Sequence, residues 1–315
     1  MTKTPAQVTS IDINADIGEG SGFDGDLLEI VSSASVACGF HAGDPSTMLA
    51  TAIAATARGV TLGAHPSYAD RDNFGRSPRD ATPADVSAAV AYQLGAMEGV
   101  CSLAGAGVSY VKLHGALYNQ AATDPSIADA VLEALAAWIS APGSPTGSRR
   151  SLPILCPSAS QLAVRASSFG VEVFGEAFAD RAYNSNGTLV DRRADGALVR
   201  DPADVARRVT EMLVEGTVEA VDGSRIAISA DSICVHGDTP GAVDLAWAVR
   251  RAAESVGVEI RPFAVRDSSA VLPPSAAPPY PAEQGRLVDS AEQARPVYPS
   301  EGGLATLTSK RPSVR

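Results

Sequence analysis

The stretch "SIDINADIGEG", residues 10–20, alternates polar and apolar side chains over its first seven positions. Residues two apart on a β-strand share a face, so Ile11 and Ile13 are expected to pack outward against helices. The opposite face, turned toward the interior of a closed sheet, carries Asp12, Asn14 and Asp16. Polar side chains in such an interior need partners or a function. The stretch therefore predicts a barrel strand whose inner face carries chemistry.

Similar strands recur along the chain, separated by helical segments. Seven further β-prone runs are "SASVACG", "GVTLGAH", "SYVKLHG", "LPILCP", "VEVFGEAFA", "DSICVHG" and "VEIRPF". Several helices open with a capping residue followed by proline, at Asp44-Pro45, Thr82-Pro83, Asp124-Pro125 and Asp201-Pro202. Strand and helix repeated seven or eight times are typical of a parallel sheet that closes into a barrel. We therefore predict an α/β fold, a (β/α) barrel with seven or eight mostly parallel strands, over residues 8–264.

Two segments fall outside this pattern. Residues 140–150, "SAPGSPTGSRR", are rich in Gly, Pro and Ser and predict a loop between a helix and a strand. Residues 265–315 are Pro-rich and aperiodic, as in "PPSAAPPYPAEQ". We predict a flexible C-terminal tail there rather than a second domain.

The composition limits the class of partner. The formal net charge of −11 disfavours nucleic acid and anionic membranes, because both require a basic face, but it leaves a small anionic ligand open. No apolar run approaches the roughly 20 residues of a membrane span, and the N-terminal residues lack the regions of a signal peptide. The four cysteines form no Cys-x-x-Cys pair, so neither a zinc ribbon nor a disulfide framework is indicated. We expect a cytoplasmic protein.

The histidines indicate where the site lies. The chain contains four, and His41, His65, His114 and His236 each follow a predicted strand at or just past its C-terminal end. In parallel α/β barrels that rim carries the active site. Lys112 shares a strand face with His114 and is the only lysine between Lys3 and Lys310. We expect these side chains to meet in one site, the alternative for Lys112 being a salt bridge to a barrel carboxylate.

Charged residues at other strand ends extend this candidate site. Glu176 and Asp180 follow a further strand, and the adjacent loop carries Arg181 and Tyr183. A comparable loop, "AHPSYADRDNFGR", carries Arg71 and Arg76. Arginines here could clamp a carboxylate or phosphate through paired N–H groups, or form solvated loop salt bridges. The chain contains neither a standard P-loop nor a Gly-x-Gly-x-x-Gly fingerprint after a strand.

Taken together, the motifs resemble the LamB/YcsF family, the family of the A subunit of the prokaryotic, ATP-hydrolysing 5-oxoprolinase. The matching segments are "IDINADIGEG", "ACGFHAGDP", "GAHPSYADRDNFGR", "VKLHGALYN", "EAFADRAY" and "ICVHGDTPGAV". They run in order from residue 11 to about residue 243 and so cover nearly the whole predicted barrel.

The resemblance implies cleavage of 5-oxo-L-proline (pyroglutamate) to L-glutamate, coupled to hydrolysis of ATP to ADP and phosphate. It implies two partner subunits, B and C, and ATP as a co-substrate bound by this chain or with its partners. It also implies an irregular (β/α) barrel related to the glycoside hydrolase and deacetylase superfamily. That relation is compatible with a divalent metal held by Asp and His, although no decisive metal-binding spacing is present.

For this reaction we hypothesise that Asp16, with Glu176, activates water, while one of the four histidines protonates the departing nitrogen. Lys112 and a loop arginine would stabilise developing charge or the transferred phosphate. The expected substrate-binding residues are Asn14, Arg71, Arg76, Asp180, Arg181 and Tyr183. Two alternatives stay open. One is a metal-dependent amide or lactam hydrolase or deacetylase that needs no ATP, and the other is a non-catalytic, lactam-binding regulatory subunit.

Overall fold

The computed structural model of the protein describes residues 8–140, 151–239 and 241–264. The predicted tail at 265–315 lies outside the described residues, as does the predicted loop from residue 141 onward.

Seven parallel strands close into a barrel at the centre of the described chain. With all strands labelled in chain order, the barrel consists of β1 (Ser10–Ile17), β2 (Ser33–Ala37), β3 (Thr61–His65), β4 (Tyr110–Lys112), β5 (Ile154–Cys156), β6 (Val173–Phe178) and β9 (Ser232–His236). Consecutive members pair in parallel from β1 to β6, and β9 joins β6 to β1. Asn14 of β1 lies opposite Ser33 on one side and Cys234 on the other. The predicted (β/α) barrel is confirmed.

Three more strands in the described part of the chain lie outside this ring. The predicted run "VEIRPF" forms only β10 (Glu259–Ile260), which pairs in parallel with the first two residues of β1. Two short strands that the sequence analysis did not predict, β7 (Thr217–Glu219) and β8 (Arg225–Ala227), form an antiparallel hairpin.

Helices surround the barrel, as the alternating pattern predicted. Within the described residues they are α1 (Asp24–Leu27), α2 (Pro45–Ala57), α3 (Pro83–Leu103), α4 (Gly115–Thr123), α5 (Pro125–Ser140), α6 (Gln161–Arg165), α7 (Pro202–Glu215) and α8 (Ala242–Ser255). All four predicted helix starts are confirmed, since α2, α3, α5 and α7 each begin at the proline. At α2, for example, one Asp44 carboxylate oxygen accepts the Ser46 and Thr47 N–H groups, each at 2.9 Å, which satisfies two N–H groups without a helical partner.

The interior of the barrel has an apolar floor and a polar layer above it. Tyr110, two residues before Lys112 on β4, is fully buried with Leu155 and packs against the ring of Phe263. Gly63 of β3 makes room for the Tyr110 ring, because a Cβ at this position would lie 2.3 Å from Tyr110 Cζ. Ile11 and Ile13 belong instead to the large apolar core. This arrangement confirms the two predicted faces of β1.

Candidate active site

The strands bring the predicted residues to one end of the barrel. His65 and His236 are the last residues of β3 and β9, and Lys112 is the last residue of β4. His41 and His114 lie in the segments that follow β2 and β4. All five side chains are largely buried. The prediction that the four histidines lie at the C-terminal rim of the barrel is confirmed.

The Lys112 ammonium lies at the centre of the polar layer. Its Nζ is 2.8 Å from Asp16 Oδ1 and 2.7 Å from Glu176 Oε1, and it also donates to Asn14 Oδ1 at 3.0 Å. A fourth neighbour is Cys234 Sγ at 3.0 Å. Lys112 therefore makes the predicted salt bridge to barrel carboxylates. It also lies among the candidate site residues, so the two expectations for Lys112 do not exclude each other.

The Lys112–Asp16 ion pair is charged at neutral pH. Burial by itself would raise the pKa of Asp16, but His65 and Lys112 outweigh it and hold that pKa well below its usual value. Burial would lower the pKa of Lys112, but the negative groups around it, first of all Asp16, raise it well above the usual value. The site thus contains a fixed ammonium and at least one fixed carboxylate, out of contact with bulk water.

Further hydrogen bonds around Lys112 hold Asn14, Asp12 and Glu176 in place. Asn14 Nδ2 donates to Glu176 Oε1 at 3.2 Å and to Ser232 Oγ at 2.8 Å. The Tyr118 hydroxyl donates to the other Glu176 oxygen at 2.8 Å. Asp12 accepts hydrogen bonds from three serines, Ser32, Ser33 and Ser232. Burial nevertheless raises the pKa of Asp12 to about 6.

His236 forms a pair with Asp180. The Nδ1 atom of His236 is 3.0 Å from each Asp180 carboxylate oxygen, and the His236 backbone N–H donates to Asp180 Oδ2 at 3.2 Å. Burial would raise the pKa of Asp180, but the His236 ring and Arg192 outweigh it and lower that pKa. A carboxylate that accepts the Nδ1 proton leaves Nε2 as the free basic atom of the ring. This is the geometry of an oriented general acid or base.

The other three histidines form a compact cluster with Glu19. The His65 Nε2 and His114 Nδ1 atoms are 3.0 Å apart, and Glu19 Oε1 lies 3.1 Å from His41 Nε2 and 3.4 Å from His114 Nδ1. The Glu19 side chain is only 3% exposed. His65 Nε2 is also 3.4 Å from Asp16 Oδ2, which connects this cluster to the Lys112 ion pair.

The predicted loop arginines have partners within the protein. Arg71 donates to the carbonyl oxygens of Gly39 and Gly43. Arg76 pairs with Asp238 at 2.5 Å, and Arg192 binds the other oxygen of the same carboxylate at 2.7 Å. The Arg76–Asp238 pair ties the loop after β3 to the segment after β9, and the Arg71 contacts tie the same loop to the segment after β2. The expected role of Arg71 and Arg76 in substrate binding stays a prediction.

Arg181 and Tyr183 lie deeper than the sequence suggested. Arg181 is largely buried and donates to Val190 O at 2.6 Å, whereas its Nε atom has no hydrogen-bond partner among the described residues. The Tyr183 hydroxyl accepts the Phe178 backbone N–H at 2.8 Å, and burial raises the pKa of that hydroxyl well above its usual value. Both contacts hold the segment after β6 in place, and the expected substrate contacts of these two residues stay predictions.

Several residues of the site were not singled out as site residues from the sequence. They are Glu19, Ser67, Tyr118 and Asp238. Glu19 and Asp238 lie within quoted segments, and each follows directly on a barrel strand and a glycine, at residues 18 and 237. An acidic residue next to a glycine, just past a barrel strand, is therefore the sequence pattern that could have identified both residues.

None of the described helices combines the length and the apolar character that crossing a membrane requires.

Comparison with known proteins shows which family and which proteins this chain resembles. Residues 11–268 match the family model described as "LamB/YcsF family". The chain is 49% identical over 259 residues to a protein from Paracidovorax citrulli that is named as the A subunit of 5-oxoprolinase, covering 81% of this chain and 99% of that protein. A protein of the same name from Mycobacterium avium is 48% identical over 261 residues, covering 81% of this chain and 100% of that one.

A solved structure has the same fold over the whole of its length. It is the "Lactam Utilization Protein" from Thermus thermophilus, which is 39% identical to this chain with a TM-score of 0.72. The alignment covers 81% of this chain and 100% of that protein.

Proposed function

The chain belongs to the LamB/YcsF family, and we propose that it is the A subunit of a 5-oxoprolinase and carries the site where the lactam ring opens. The overall reaction would convert 5-oxo-L-proline, ATP and two molecules of water to L-glutamate, ADP and phosphate. Relatives named as A subunits of 5-oxoprolinase support a role in such a hydrolase complex. The observation that carries the proposal is the buried Lys112 ammonium between Asp16 and Glu176, beside the His236–Asp180 pair.

The chemistry of the substrate explains why these groups and ATP are both needed. A five-membered lactam is a resonance-stabilised amide, so water attacks it slowly. Transfer of the γ-phosphoryl group of ATP to the carbonyl oxygen makes the ring carbon electrophilic. Water then adds to that carbon, and the C–N bond breaks as the nitrogen takes a proton. The resulting acyl phosphate reacts with a second water to give glutamate and phosphate.

In this scheme His236 is the group that exchanges protons. Asp180 holds its Nδ1–H, so Nε2 is free to take a proton from the attacking water and return it to the departing nitrogen. The lowered pKa of Asp16 makes it a weaker base than the sequence analysis expected. We therefore assign Asp16 to holding the attacking water by hydrogen bonding, with Glu176 as the second carboxylate of the site.

Lys112 would stabilise negative charge on the substrate. Its ammonium is fixed by three hydrogen-bond acceptors of known position, so little reorganisation is needed when charge develops on the carbonyl oxygen or the phosphoryl group. The substrate carboxylate would contact the loop cations, with Arg76 the best candidate because it is one-third exposed.

Two further parts of the assignment are proposals. The absence of a P-loop favours a nucleotide site formed with or on a partner subunit, and we take the partners to be the B and C subunits of the enzyme. We also keep the expectation of a cytoplasmic location.

A second candidate function is a metal-dependent lactam or amide hydrolase that needs no ATP. One observation favours it, the cluster of Glu19 with three histidines, which has the residue types of a zinc site. The two candidates differ in whether turnover requires ATP and partner subunits.

The test is glutamate formation from 5-oxoproline. The purified chain is assayed alone and with the B and C subunits, each with and without ATP. Glutamate that appears only in the complete mixture with ATP would support the proposed function. Glutamate formed by the chain alone without ATP would replace it with the second candidate. Binding of 5-oxoproline without turnover in any mixture would instead support a regulatory subunit.

A further inference from the structure

One donor atom from each of four side chains faces a common space at the rim of the barrel. The four residues are Glu19, His41, His65 and His114, and their donor atoms all lie within 4.8 Å of one another. All four side chains are at most 5% exposed. They come from the segments after β1, β2 and β4 and from the end of β3. We call these four residues the rim cluster.

The hydrogen bonds behind His65 and His114 determine where their ring protons are. His65 Nδ1 lies 2.8 Å from Lys112 O, and His114 Nε2 lies 2.8 Å from Phe74 O. A backbone carbonyl oxygen only accepts, so both nitrogens must carry hydrogen. In a neutral imidazole the other nitrogen then has a lone pair. The two remaining nitrogens, His65 Nε2 and His114 Nδ1, face each other at 3.0 Å.

The same reasoning applies to His41. Its Nδ1 atom lies 2.8 Å from Ser67 Oγ, and the Ser67 hydroxyl donates to Tyr68 O at 3.0 Å. A hydroxyl has one proton, so Ser67 must accept the hydrogen on Nδ1 of His41. The Nε2 lone pair of His41 therefore faces Glu19 Oε1 at 3.1 Å. Gln93 fixes Ser67 through hydrogen bonds to its backbone N–H and carbonyl, at 3.0 and 2.8 Å.

Four electron-rich atoms thus converge. Lone pairs at these distances repel unless protons or a cation lie between them. One cation bound between the four atoms would remove all of these repulsions. Without it, separate protons would be needed between the two facing histidine nitrogens and on Glu19.

The distances fit a small tetrahedral ion. Metal–ligand bonds of about 2.0–2.1 Å place neighbouring ligand atoms of a tetrahedron about 3.3 Å apart. Four of the distances within the rim cluster are 3.0, 3.1, 3.4 and 3.9 Å, which bracket that value. The rings of His41 and His114 are parallel with centroids 3.8 Å apart, so one of them must turn slightly to aim at the shared point.

We propose that the rim cluster binds one divalent transition-metal ion with the ligand preference of zinc. Three imidazole nitrogens and a carboxylate oxygen are ligands of that class, and each histidine is oriented by a hydrogen bond from its other nitrogen. When bound, the ion supplies a Lewis acid beside Asp16. This inference does not depend on the proposed function.

A second group of potential ligands is a poorer site. Asp16, Cys234 and His236 also lie within reach of one another. However, the Lys112 ammonium is 2.8 Å from Asp16 and 3.0 Å from Cys234. A cation there would meet a fixed positive charge, and burial raises the pKa of the Cys234 thiol well above its usual value, which disfavours the thiolate.

The experiment uses the full chain, stripped of metal with a chelator and then dialysed against Zn²⁺ or Co²⁺. Bound metal per chain is measured by elemental analysis, and the visible absorption of Co²⁺ reports tetrahedral coordination. We expect one ion per chain. Glu19→Gln and His41→Ala should lose stoichiometric binding, and Ser67→Ala should weaken it by about 10- to 100-fold, because it removes only the group that orients His41.

His236→Ala is the matched control, since it removes a histidine from the same rim but from outside the cluster. It should retain one ion. Circular dichroism verifies that each variant is folded, and Glu19→Gln keeps the shape of the side chain if His41→Ala does not fold. The proposal is overturned if folded wild-type chain binds no ion, if Glu19→Gln binds as the wild type does, or if His236→Ala loses the ion. Neither readout involves turnover, so these outcomes leave the proposed function untouched.

Discussion

The Nζ atom of Lys112 lies 2.7 Å from Oε1 of Glu176, and neither side chain is more than 2% exposed. The two residues belong to β4 and β6, on either side of β5. Taking both charges out of water carries a large desolvation cost, which only close pairing offsets. With Asp16 as a third member, this ion pair gives the barrel a charged interior. An apolar interior would avoid the desolvation cost.

Replacing Lys112 should therefore destabilise the fold as well as stop turnover. Lys112→Met leaves the Asp16 and Glu176 carboxylates buried without their cation, and we expect unfolding to become easier by about 3–5 kcal/mol. Adding Glu176→Gln should recover part of that loss, because one of the unpaired charges is then gone. Urea denaturation of wild type, the single variants and the double variant measures both effects. A loss below about 1 kcal/mol in Lys112→Met would contradict the ion-pair account.

Asp12 should make stability depend on pH. Its folded-state pKa is about 6, raised from 3.8, so between those values the folded protein keeps a proton that the unfolded chain has released. Stability should fall as pH rises through this window, by up to about 3 kcal/mol, and the loss should stop above about pH 6. Asp12→Asn removes the titration, so its stability relative to wild type should rise across the window. Parallel stability curves for the two proteins would show that Asp12 does not titrate there.

Gly75 should be the position where the loop after β3 tolerates a side chain least. Its φ of +66° suits glycine, and an added Cβ would lie 2.8 Å from His41 Cβ. Gly59 provides the matched control, because its φ is +70° but no atom of the described residues lies within 4 Å of an added Cβ. Gly59→Ala should lower stability by about 1–2 kcal/mol through backbone strain alone. Gly75→Ala should cost about 1–3 kcal/mol more through overpacking, measured by urea denaturation. Equal losses would mean that the loop shifts freely.

Asp180 should act by positioning His236. In Asp180→Asn the amide can donate to Nδ1, which favours the ring tautomer with its proton on Nε2 and removes the free base. Turnover should fall by about 10²- to 10⁴-fold. Nitrogen-15 NMR of the ring distinguishes this from a structural role, because the proton should move from Nδ1 to Nε2. A variant with low activity but an unchanged tautomer would disprove the positioning role.

The sequence predicted the elements that follow from local pattern. The two faces of β1 could be inferred from alternation, since Ile11 lies in the apolar core and Asp16 contacts Lys112 inside the barrel. The helix starts could be inferred from capping residues such as Asp44. Both signals depend on neighbouring residues only, which is why a single sequence carries them.

The sequence did not predict features that depend on tertiary contacts. Alternation ends with β1 at Ile17, and the direction of the Glu19 side chain depends on positive φ angles at Gly18 and Gly20. The pairing of Arg76 with Asp238 joins two loops 162 residues apart in the chain. The β7–β8 hairpin escaped prediction because its short strands are only partly buried and have no apolar run, whereas the equally short β4 and β5 are fully buried.

The most direct test of the central claim is the rate of glutamate formation by the complete A, B and C mixture with ATP when Asp16 is replaced by Asn. The substitution preserves the shape of the side chain but removes the charge that faces Lys112 and the proposed water. We predict a loss of about 10²-fold or more with the fold intact, because the attacking water is no longer held by a carboxylate. The control Asp244→Asn, at an exposed position in the first turn of α8, should keep wild-type activity. Near-normal turnover by a folded Asp16→Asn variant would contradict the assignment of the ring-opening site to this barrel rim.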